Sequence, residues 1–149
     1  MRLVLLSNGS EQFPTEESLR RDIPLLLADP DTEFLIGERS SSDGCEGFLQ
    51  QRYRYNLWLG APEAYIEDLF VAEGARRQGL GRRLVRLAAD RATARGCPIL
   101  SLDTTERNEA ALRLYEGEGF SLRSPRSGIR LLVRKWLGPG PAPWESRSG

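Results

Sequence analysis

RRQGLG, at residues 76–81, stands between a segment typical of a strand, AYIEDLFV at residues 64–71, and a predicted helix over residues 79–95. In that helix, apolar side chains recur at i, i+4, i+7 and i+8 from Leu80, which is the spacing of one helical face. A second predicted strand, PILSLDT, follows at residues 98–104. Because a crossover of this length joins parallel strands, the sequence predicts a βαβ unit.

Antiparallel strands and further helices are predicted on both sides of this unit. In chain order, these elements are a strand at residues 2–6, a helix at 15–28, strands at 32–38 and 46–55 joined by turn formers at 40–44, a loop at 57–63, a helix at 108–118, and strands at 120–124 and 129–137. The predicted class is therefore α/β with a mixed sheet, in one domain over residues 1–137. The Pro/Gly-rich tail at residues 138–149 is expected to be disordered.

Composition excludes several classes of function. The chain has 149 residues with 21 basic and 21 acidic side chains, which is typical of one globular domain and lacks the positive field of a nucleic-acid binder. No apolar run approaches the roughly 20 residues of a membrane span, so a cytoplasmic protein without membrane contact is expected. With no histidine, and only two isolated cysteines at Cys45 and Cys97, the sequence indicates no metal site and no Ser-His-Asp or Cys-His nucleophile. Any chemistry must use carboxylates, tyrosine, cysteine or backbone groups.

The RRQGLG stretch has the chemistry of an anion site. A helix start offers N–H groups without intrahelical partners and the positive end of the helix dipole, and glycines let a phosphate approach the backbone. Four arginines add positive charge suited to a pyrophosphate: Arg76, Arg77, Arg82 and Arg83. We call residues 76–82 the anion cradle. A surface loop with solvated arginines is the alternative interpretation.

Three classes of phosphate site can be compared at the cradle. A P-loop needs a lysine after its second glycine, and none follows Gly81. A dinucleotide fold needs GxGxxG and an acidic residue about 20 positions later; Gly79, Gly81 and Asp103 fit, but Leu84 stands where the third glycine belongs. NAD(P) binding is therefore a weak alternative, and the third class is an acyl-CoA site.

The segment from Tyr65 to Phe120 resembles the GNAT superfamily of N-acetyltransferases. The resemblance rests on ordered features: YIEDLFV, the RRQGLG loop with its helix, ILSLDTT, and Asn108, Ala111 and Tyr115 within NEAALRLYEGEGF. It implies a GNAT-like acyl-CoA N-acyltransferase fold, in which helices flank a mixed sheet with antiparallel N-terminal strands and a splayed parallel pair. It also implies direct transfer of the acetyl group of acetyl-CoA to a primary amine of a small molecule or peptide, and a homodimer. A non-catalytic CoA-binding sensor is the alternative.

The resemblance also implies roles for individual residues. The backbone before the cradle would pair with the pantetheine arm, and the amides of residues 77–82 would bind the CoA pyrophosphate. Asn108 would contact the pantetheine region or an ordered water, and Tyr115, otherwise a core tyrosine, would protonate the departing thiolate. Their seven-residue spacing puts both on one helical face. The implied cofactor-binding residues are Leu69, Phe70, Val71, Arg76, Arg77, Gln78, Gly79, Leu80, Gly81, Arg82 and Asn108.

A base must take a proton from the amine, and in a chain without histidine the candidates are carboxylates. Glu67 matches the glutamate of the EDFF-like strand in polyamine-type acetyltransferases, so the resemblance implies Glu67 as the base, acting through water. Regular alternation predicts that Asp68 faces the opposite side. A β-bulge, frequent here in the family, would change those directions, so Asp68 stays a second candidate. A salt bridge to an arginine is the alternative role for either carboxylate.

Aromatic side chains of the preceding strand and loop are candidate walls for the acceptor: Tyr53, Tyr55 and Trp58. Packing or an interface is an equal alternative for each. Arg52 and Arg54 would favour an acceptor with a carboxylate, whereas Glu63, Glu67 and Asp68 would favour a cationic amine. The sequence does not decide between these two acceptors.

Overall fold

The structure is a computed structural model that describes residues 15–38, 44–121, 123–124 and 128–129. Two compact units divide the chain, Met1–Gly119 and Phe120–Gly149. The described part of the first unit contains, in chain order, α1 (Glu16–Ala28), β1 (Thr32–Glu38), β2 (Cys45–Asn56), β3 (Ala61–Val71), a 3-10 turn (Glu73–Ala75), α2 (Leu80–Ala94), β4 (Leu100–Leu102) and α3 (Glu109–Gly117). In the second unit, β5 (Arg123–Ser124) pairs antiparallel with β6 (Gly128–Ile129).

The sheet of the first unit confirms the predicted mixed topology. Its strand order is β1-β2-β3-β4. β2 pairs antiparallel with both β1 and β3, whereas β3 and β4 are parallel. Because α2 connects the two parallel strands, the βαβ unit predicted around RRQGLG is present.

Two strand boundaries differ from the sequence prediction. Residues 61–63 belong to β3 and not to a loop, although Pro62 is among them. Proline is tolerated there because β3 has only β2 as its partner before the parallel pairing begins at Ala64. β4 is shorter than the predicted strand at 98–104. Other predicted segments lie wholly or mostly outside the described residues: the strand at 2–6, the turn at 40–44, the strand at 129–137 and the tail at 138–149.

α2 packs against one face of the sheet and forms the core with it. Four of its side chains are buried: Leu84, Val85, Ala88 and Ala92. Tyr53 of β2 and Ala64 of β3 lie in one buried cluster with α2, so we call their side of the sheet the α2 face and the other side the second face. Leu87, which the apolar spacing also placed toward the core, is 44% exposed because the buried arc of the helix is centred near Ala88.

A pair of glycines brings the start of α2 close to the sheet. Gly37 of β1 and Gly47 of β2 are cross-strand partners. A Cβ at Gly37 would lie 2.5 Å from Leu80 Cδ1, and a Cβ at Gly47 would lie 2.8 Å from the backbone oxygen of Phe70 and 3.1 Å from Leu80 Cδ2. The absent side chains make room for Leu80, so the first turn of α2 lies directly against β1 and β2.

Candidate active site

A cleft of about 1000 Å³ lies between the carboxyl-terminal half of β3, the start of α2 and α3. That volume is at the upper end of the range for ligand pockets. The residues predicted for cofactor binding or catalysis that line it are Asp68, Leu69, Phe70, Val71, Arg76, Arg77, Gly79, Leu80, Gly81, Arg82, Asn108 and Tyr115. The fold thus brings the strand, the cradle and the α3 residues of the sequence prediction to one cleft.

The cleft opens where the two parallel strands stop pairing. β3 pairs with β4 from Ala64 to Ile66 and then continues alone on that side to Val71. Within the described part of the chain, residues 68–71 therefore have ladder partners only in β2. Strand groups without a ladder partner can pair with an extended ligand, as in strand addition.

One extra residue in β3 reverses the alternation of its side chains. Gln51 pairs with Ile66 and Gln50 pairs with Asp68, which leaves Glu67 as a β-bulge without a ladder partner. Because cross-strand partners share a face, Asp68 lies on the second face with Gln50, whereas Ile66 lies on the α2 face. Regular alternation would place Asp68 on the same face as Ile66, and the bulge at Glu67 is the physical reason that it does not.

The cleft crosses the edge of β3 from one face of the sheet to the other. On the α2 face, a Cβ at Gly81 would lie 3.6 Å from Val71 Cγ2, so the start of α2 is in contact distance of the strand. On the second face, Asp68, Phe70 and Phe48 line the same cleft. A ligand held at the cradle reaches Asp68 by passing the edge of β3 that β4 leaves open.

The cradle has the backbone conformation of an anion site. Arg77 and Gly79 have left-handed φ angles of 58° and 82°, and such residues within a turn direct successive N–H groups into a concave surface. Gly79 is the N-cap of α2 and offers no side chain to its N–H groups. The N–H of Arg83 donates to the oxygen of Gly79 at 3.0 Å, so the N–H groups of residues 80–82 precede the first helical bond. This arrangement fits a pyrophosphate.

An ion-pair cluster joins two walls of the cleft. Glu118, at the end of α3, accepts from Arg86 Nε at 2.8 Å, and Arg82 Nε lies 2.9 Å from its other carboxylate oxygen. The hydrogen bond from Arg86 and the charges of Arg86 and Arg82 hold the pKa of Glu118 below its usual range. Since both arginines belong to α2, Glu118 ties the start of α2 to α3.

Two further cradle side chains bond to nearby backbone. Arg76 Nε donates to the oxygen of Val71 at 3.0 Å, which links the cradle to the end of β3. Gln78 donates its side-chain amide to the oxygen of Gly74 at 2.8 Å, and it is not among the residues that line the cleft. In this structure Gln78 therefore shapes the turn before α2.

Of the two candidate bases, Asp68 lines the cleft and Glu67 does not. The side chain of Asp68 is accessible to solvent in the cleft, but partial desolvation by its neighbours raises its pKa, and the negative charge of Glu67 raises that pKa further. Among the described residues, neither carboxylate has an ion-pair partner. A carboxylate with a raised pKa is a stronger base than an ordinary aspartate, which suits removal of a proton from an amine.

Asn108 and Tyr115 both line the cleft from the α3 side. Asn108 is the N-cap of α3, and its Oδ1 accepts from the N–H of Ala111 at 3.2 Å. Burial raises the pKa of Tyr115, so its phenol keeps its proton at neutral pH. The capping role of Asn108 is a structural function that the sequence prediction did not include.

The three predicted acceptor walls do not line the cleft. Tyr53 is buried on the α2 face, where its hydroxyl donates to Glu33 Oε2 at 2.7 Å and the guanidinium of Arg95 lies 4.0 Å from its ring centroid. Burial, and then the bond to Glu33, raise the pKa of Tyr53. Tyr55 and Trp58 are 69% and 96% exposed near the β2–β3 turn. Tyr53 is therefore a packing residue, as the alternative interpretation stated. The expectation that Tyr53 lines the acceptor site is corrected, because its side chain is buried on the α2 face.

Phe48 is a cleft residue that the sequence analysis missed. Its ring stacks on Phe70 with a centroid distance of 5.9 Å, and both rings line the cleft. Alternation along β2 places Phe48 and Gln50 on one face. That this face meets the cleft depends on the bulge at Glu67 in the next strand, which no local pattern around Phe48 indicates.

Comparison with known proteins agrees with this geometry. A family model described as the acetyltransferase (GNAT) family matches residues 5–120. The chain belongs to the GNAT family. Its predicted fold class and its prediction as a GNAT-type acetyltransferase are thereby confirmed.

Two relatives of this GNAT acetyltransferase are named for amine-containing substrates. Aminoglycoside N(6')-acetyltransferase type 1 of Serratia marcescens is 31% identical over 125 residues, with 81% of each chain covered. Thialysine N-epsilon-acetyltransferase of Bos taurus is 33% identical over 111 residues, with 70% of this chain and 64% of the relative covered. Among solved structures, AAC(6')-Iy in complex with the bisubstrate analogue CoA-S-monomethyl-acetylneamine has a TM-score of 0.67 and 20% identity, with 83% of this chain and 82% of that chain covered. This last likeness shows a shared fold.

Proposed function

We propose that this GNAT acetyltransferase transfers the acetyl group of acetyl-CoA directly to the primary amine of a small cationic molecule. The observation that carries the proposal is that the anion cradle, Asp68 on the second face, and Tyr115 of α3 all line one cleft. In this proposal, the residues that serve as base, acid and anion site line a single cleft at the edge of β3.

Acetyl-CoA would supply the activated acetyl thioester. The N–H groups of residues 80–82 and the arginines of the cradle would hold its pyrophosphate, since an uncapped helix start with left-handed residues before it fits this group. The open edge at Leu69, Phe70 and Val71 would pair with the pantetheine arm.

Asp68 is the general base in this proposal. An amine is protonated at neutral pH and must lose a proton before its nitrogen can attack, and the raised pKa of Asp68 suits that transfer. Tyr115 holds a phenolic proton in the same cleft and would give it to the departing sulfur. In this proposal, Glu67 affects the reaction only indirectly, because its negative charge raises the pKa of Asp68.

The ion pairs near the site support a cationic acceptor. Arg54 Nε donates to Glu63 Oε1 at 2.6 Å, and Arg52 lies 3.8 Å from Asp29, so the arginines that would favour an acidic acceptor already have carboxylate partners. Asp68 has no ion-pair partner among the described residues and stands beside the charge of Glu67. The two relatives named above act on an aminoglycoside and on thialysine, which carry amines.

Two isosteric variants test the assignment of the base. With a panel of small cationic amines, Asp68→Asn is expected to lower kcat/KM by about 100-fold or more, as loss of a general base does, while acetyl-CoA affinity stays the same. Glu67→Gln is expected to keep most of its turnover at neutral pH. The reverse ranking would make Glu67 the base that the resemblance implies. Tight acetyl-CoA binding without acetylation of any amine would instead favour the CoA-binding sensor.

A further inference from the structure

Three apolar side chains form a row across the second face of the sheet. Ile36 of β1 pairs with Phe48 of β2, and Phe48 pairs with Phe70 of β3. Because cross-strand partners share a face, the three side chains stand next to each other on the side opposite α2. The stacked rings of Phe48 and Phe70 form the inner part of this row. We call Ile36, Phe48 and Phe70 the apolar row.

The apolar row begins at the proposed base. Phe70 lies two residues after Asp68 on the same face, and both line the cleft with Phe48. At the other end, Ile36 is 52% exposed, so the row leads from the cleft toward solvent across β2 and β1. An amine nitrogen held at Asp68 would leave the rest of its molecule over these side chains.

The length of the row sets the size of the group that it can hold. Neighbouring strands lie about 4.8 Å apart, so the distance across three strands is about 10 Å. A saturated chain of about eight carbons has this length, and a bicyclic aromatic group on a short linker is similar. A sugar-like polyhydroxylated body would instead lose water from its hydroxyl groups over the three hydrocarbon side chains of the row, which donate no hydrogen bonds.

We propose that the acceptor is a primary amine with a hydrocarbon body, which lies along the apolar row from Phe70 to Ile36. This inference rests on the proposed function and narrows its substrate class from cationic amines in general to alkyl or arylalkyl amines. The acidic group at one end and the apolar row beyond it match the two parts of such a molecule.

A series of straight-chain amines from propylamine to octylamine tests the inference, with acetyl-CoA as donor. Each added methylene is expected to raise kcat/KM by about two- to threefold, somewhat less than full burial of a methylene would give. The gain is expected to stop when the chain passes Ile36. A flat series, or a preference for polyhydroxylated amines, would overturn the inference and leave the acetyltransferase activity in place. Failure to acetylate any amine would overturn the proposed function with it.

Substitutions at the outer end of the row locate the effect. Ile36→Gln is expected to remove the gain of the longest amines and to leave propylamine unchanged, and Ile36→Thr repeats the test with a β-branched side chain that suits a strand. Leu87→Gln, at a similarly exposed leucine of α2, is the matched control and is expected to keep the full series. Equal loss in the control variant would contradict the assignment to the row.

A second series, in which the acyl donor is varied, tests whether the row binds the acceptor or the acyl chain of the donor. With propylamine held constant, acetyl-, butyryl- and octanoyl-CoA are compared in the wild type and in Ile36→Gln. We expect the dependence of kcat/KM on acyl length to be the same in the wild type and in Ile36→Gln. If Ile36→Gln impairs long acyl donors and spares long amines, the row holds the acyl group and the inference is wrong.

Discussion

Asp68 titrates beside a second carboxylate, and this neighbour affects the pH at which Asp68 can act as a base. Partial desolvation raises the pKa of Asp68 and the charge of Glu67 raises it further. The base works in its deprotonated form, so kcat/KM for a good amine falls as the pH drops through this pKa. Glu67→Gln removes the like charge, so the acid limb of the kcat/KM profile is expected to move to lower pH.

Steady-state rates across the acid side of neutrality measure that shift. Asp90→Asn removes one exposed negative charge from α2 without touching the cleft and is the matched control. An acid limb that stays in place in Glu67→Gln would show that a group other than Asp68 controls the profile.

At the scale of elements, the contact between α2 and the sheet depends on Gly47 more than on Gly37. A Cβ at Gly47 would meet the backbone oxygen of Phe70, which cannot move without shifting β3, whereas a Cβ at Gly37 would meet the end of the flexible Leu80 side chain. Gly47→Ala is therefore expected to cost about 1–3 kcal/mol of unfolding free energy, as overpacking does, and Gly37→Ala clearly less.

Thermal or denaturant unfolding of the two glycine variants measures this difference. Gly44→Ala is a control, because an added Cβ there meets nothing within 4 Å. Equal losses in Gly37→Ala and Gly47→Ala would mean that the side chain of Leu80 is held as firmly as the backbone of β3.

The elements also show how far the sequence alone predicts this protein. Helical periodicity and turn residues place α1, α2 and α3 within about two residues of their observed ends, because these signals are local. The start of β3 is missed because Pro62 resembles a loop residue until its single-sided pairing is known. The face of the sheet on which Asp68 lies depends on the bulge at Glu67. The bulge is a property of the pairing between β3 and β2, so the sequence of β3 alone does not predict it. The family resemblance identifies Tyr115 and Asn108 as candidate site residues. The residues on the acceptor side can be identified only from the register of three strands.

At the scale of the whole molecule, ligand binding is expected to raise the unfolding temperature selectively. Acetyl-CoA at 100 times its dissociation constant adds about 2.7 kcal/mol of stability, which is several degrees for a chain of this size. NAD, NADP and ATP are expected to give no shift. Arg82→Gln is expected to reduce the acetyl-CoA shift, because Arg82 lines the cleft.

The matched control for that experiment is Arg86→Gln. Arg86 binds the same carboxylate of Glu118 but is not among the lining residues, so its loss is expected to leave the shift in place. A shift with NAD or NADP in place of CoA would contradict the cofactor assignment.

The homodimer and the cytoplasmic location expected from the sequence stay predictions. Across the ranges that the structure describes, no helix is both long enough and apolar enough to cross a membrane. Light scattering on the purified chain measures the oligomeric state directly.

The bulge at Glu67 decides which side chains of β3 face the cleft, because it adds one residue between two paired positions. If β3 kept all its residues and paired with β2 without the bulge, Gln50 would pair with Glu67, and Asp68 to Val71 would each lie on the other side of the strand. The carboxylate and the phenyl ring would then point into the packed interior, and their neighbours would point outward. A related chain that lacks the residue at Glu67 can instead pair regularly and still keep Asp68 and Phe70 on the second face. For the proposed mechanism, the side of β3 on which Asp68 lies therefore matters as much as its being an acid.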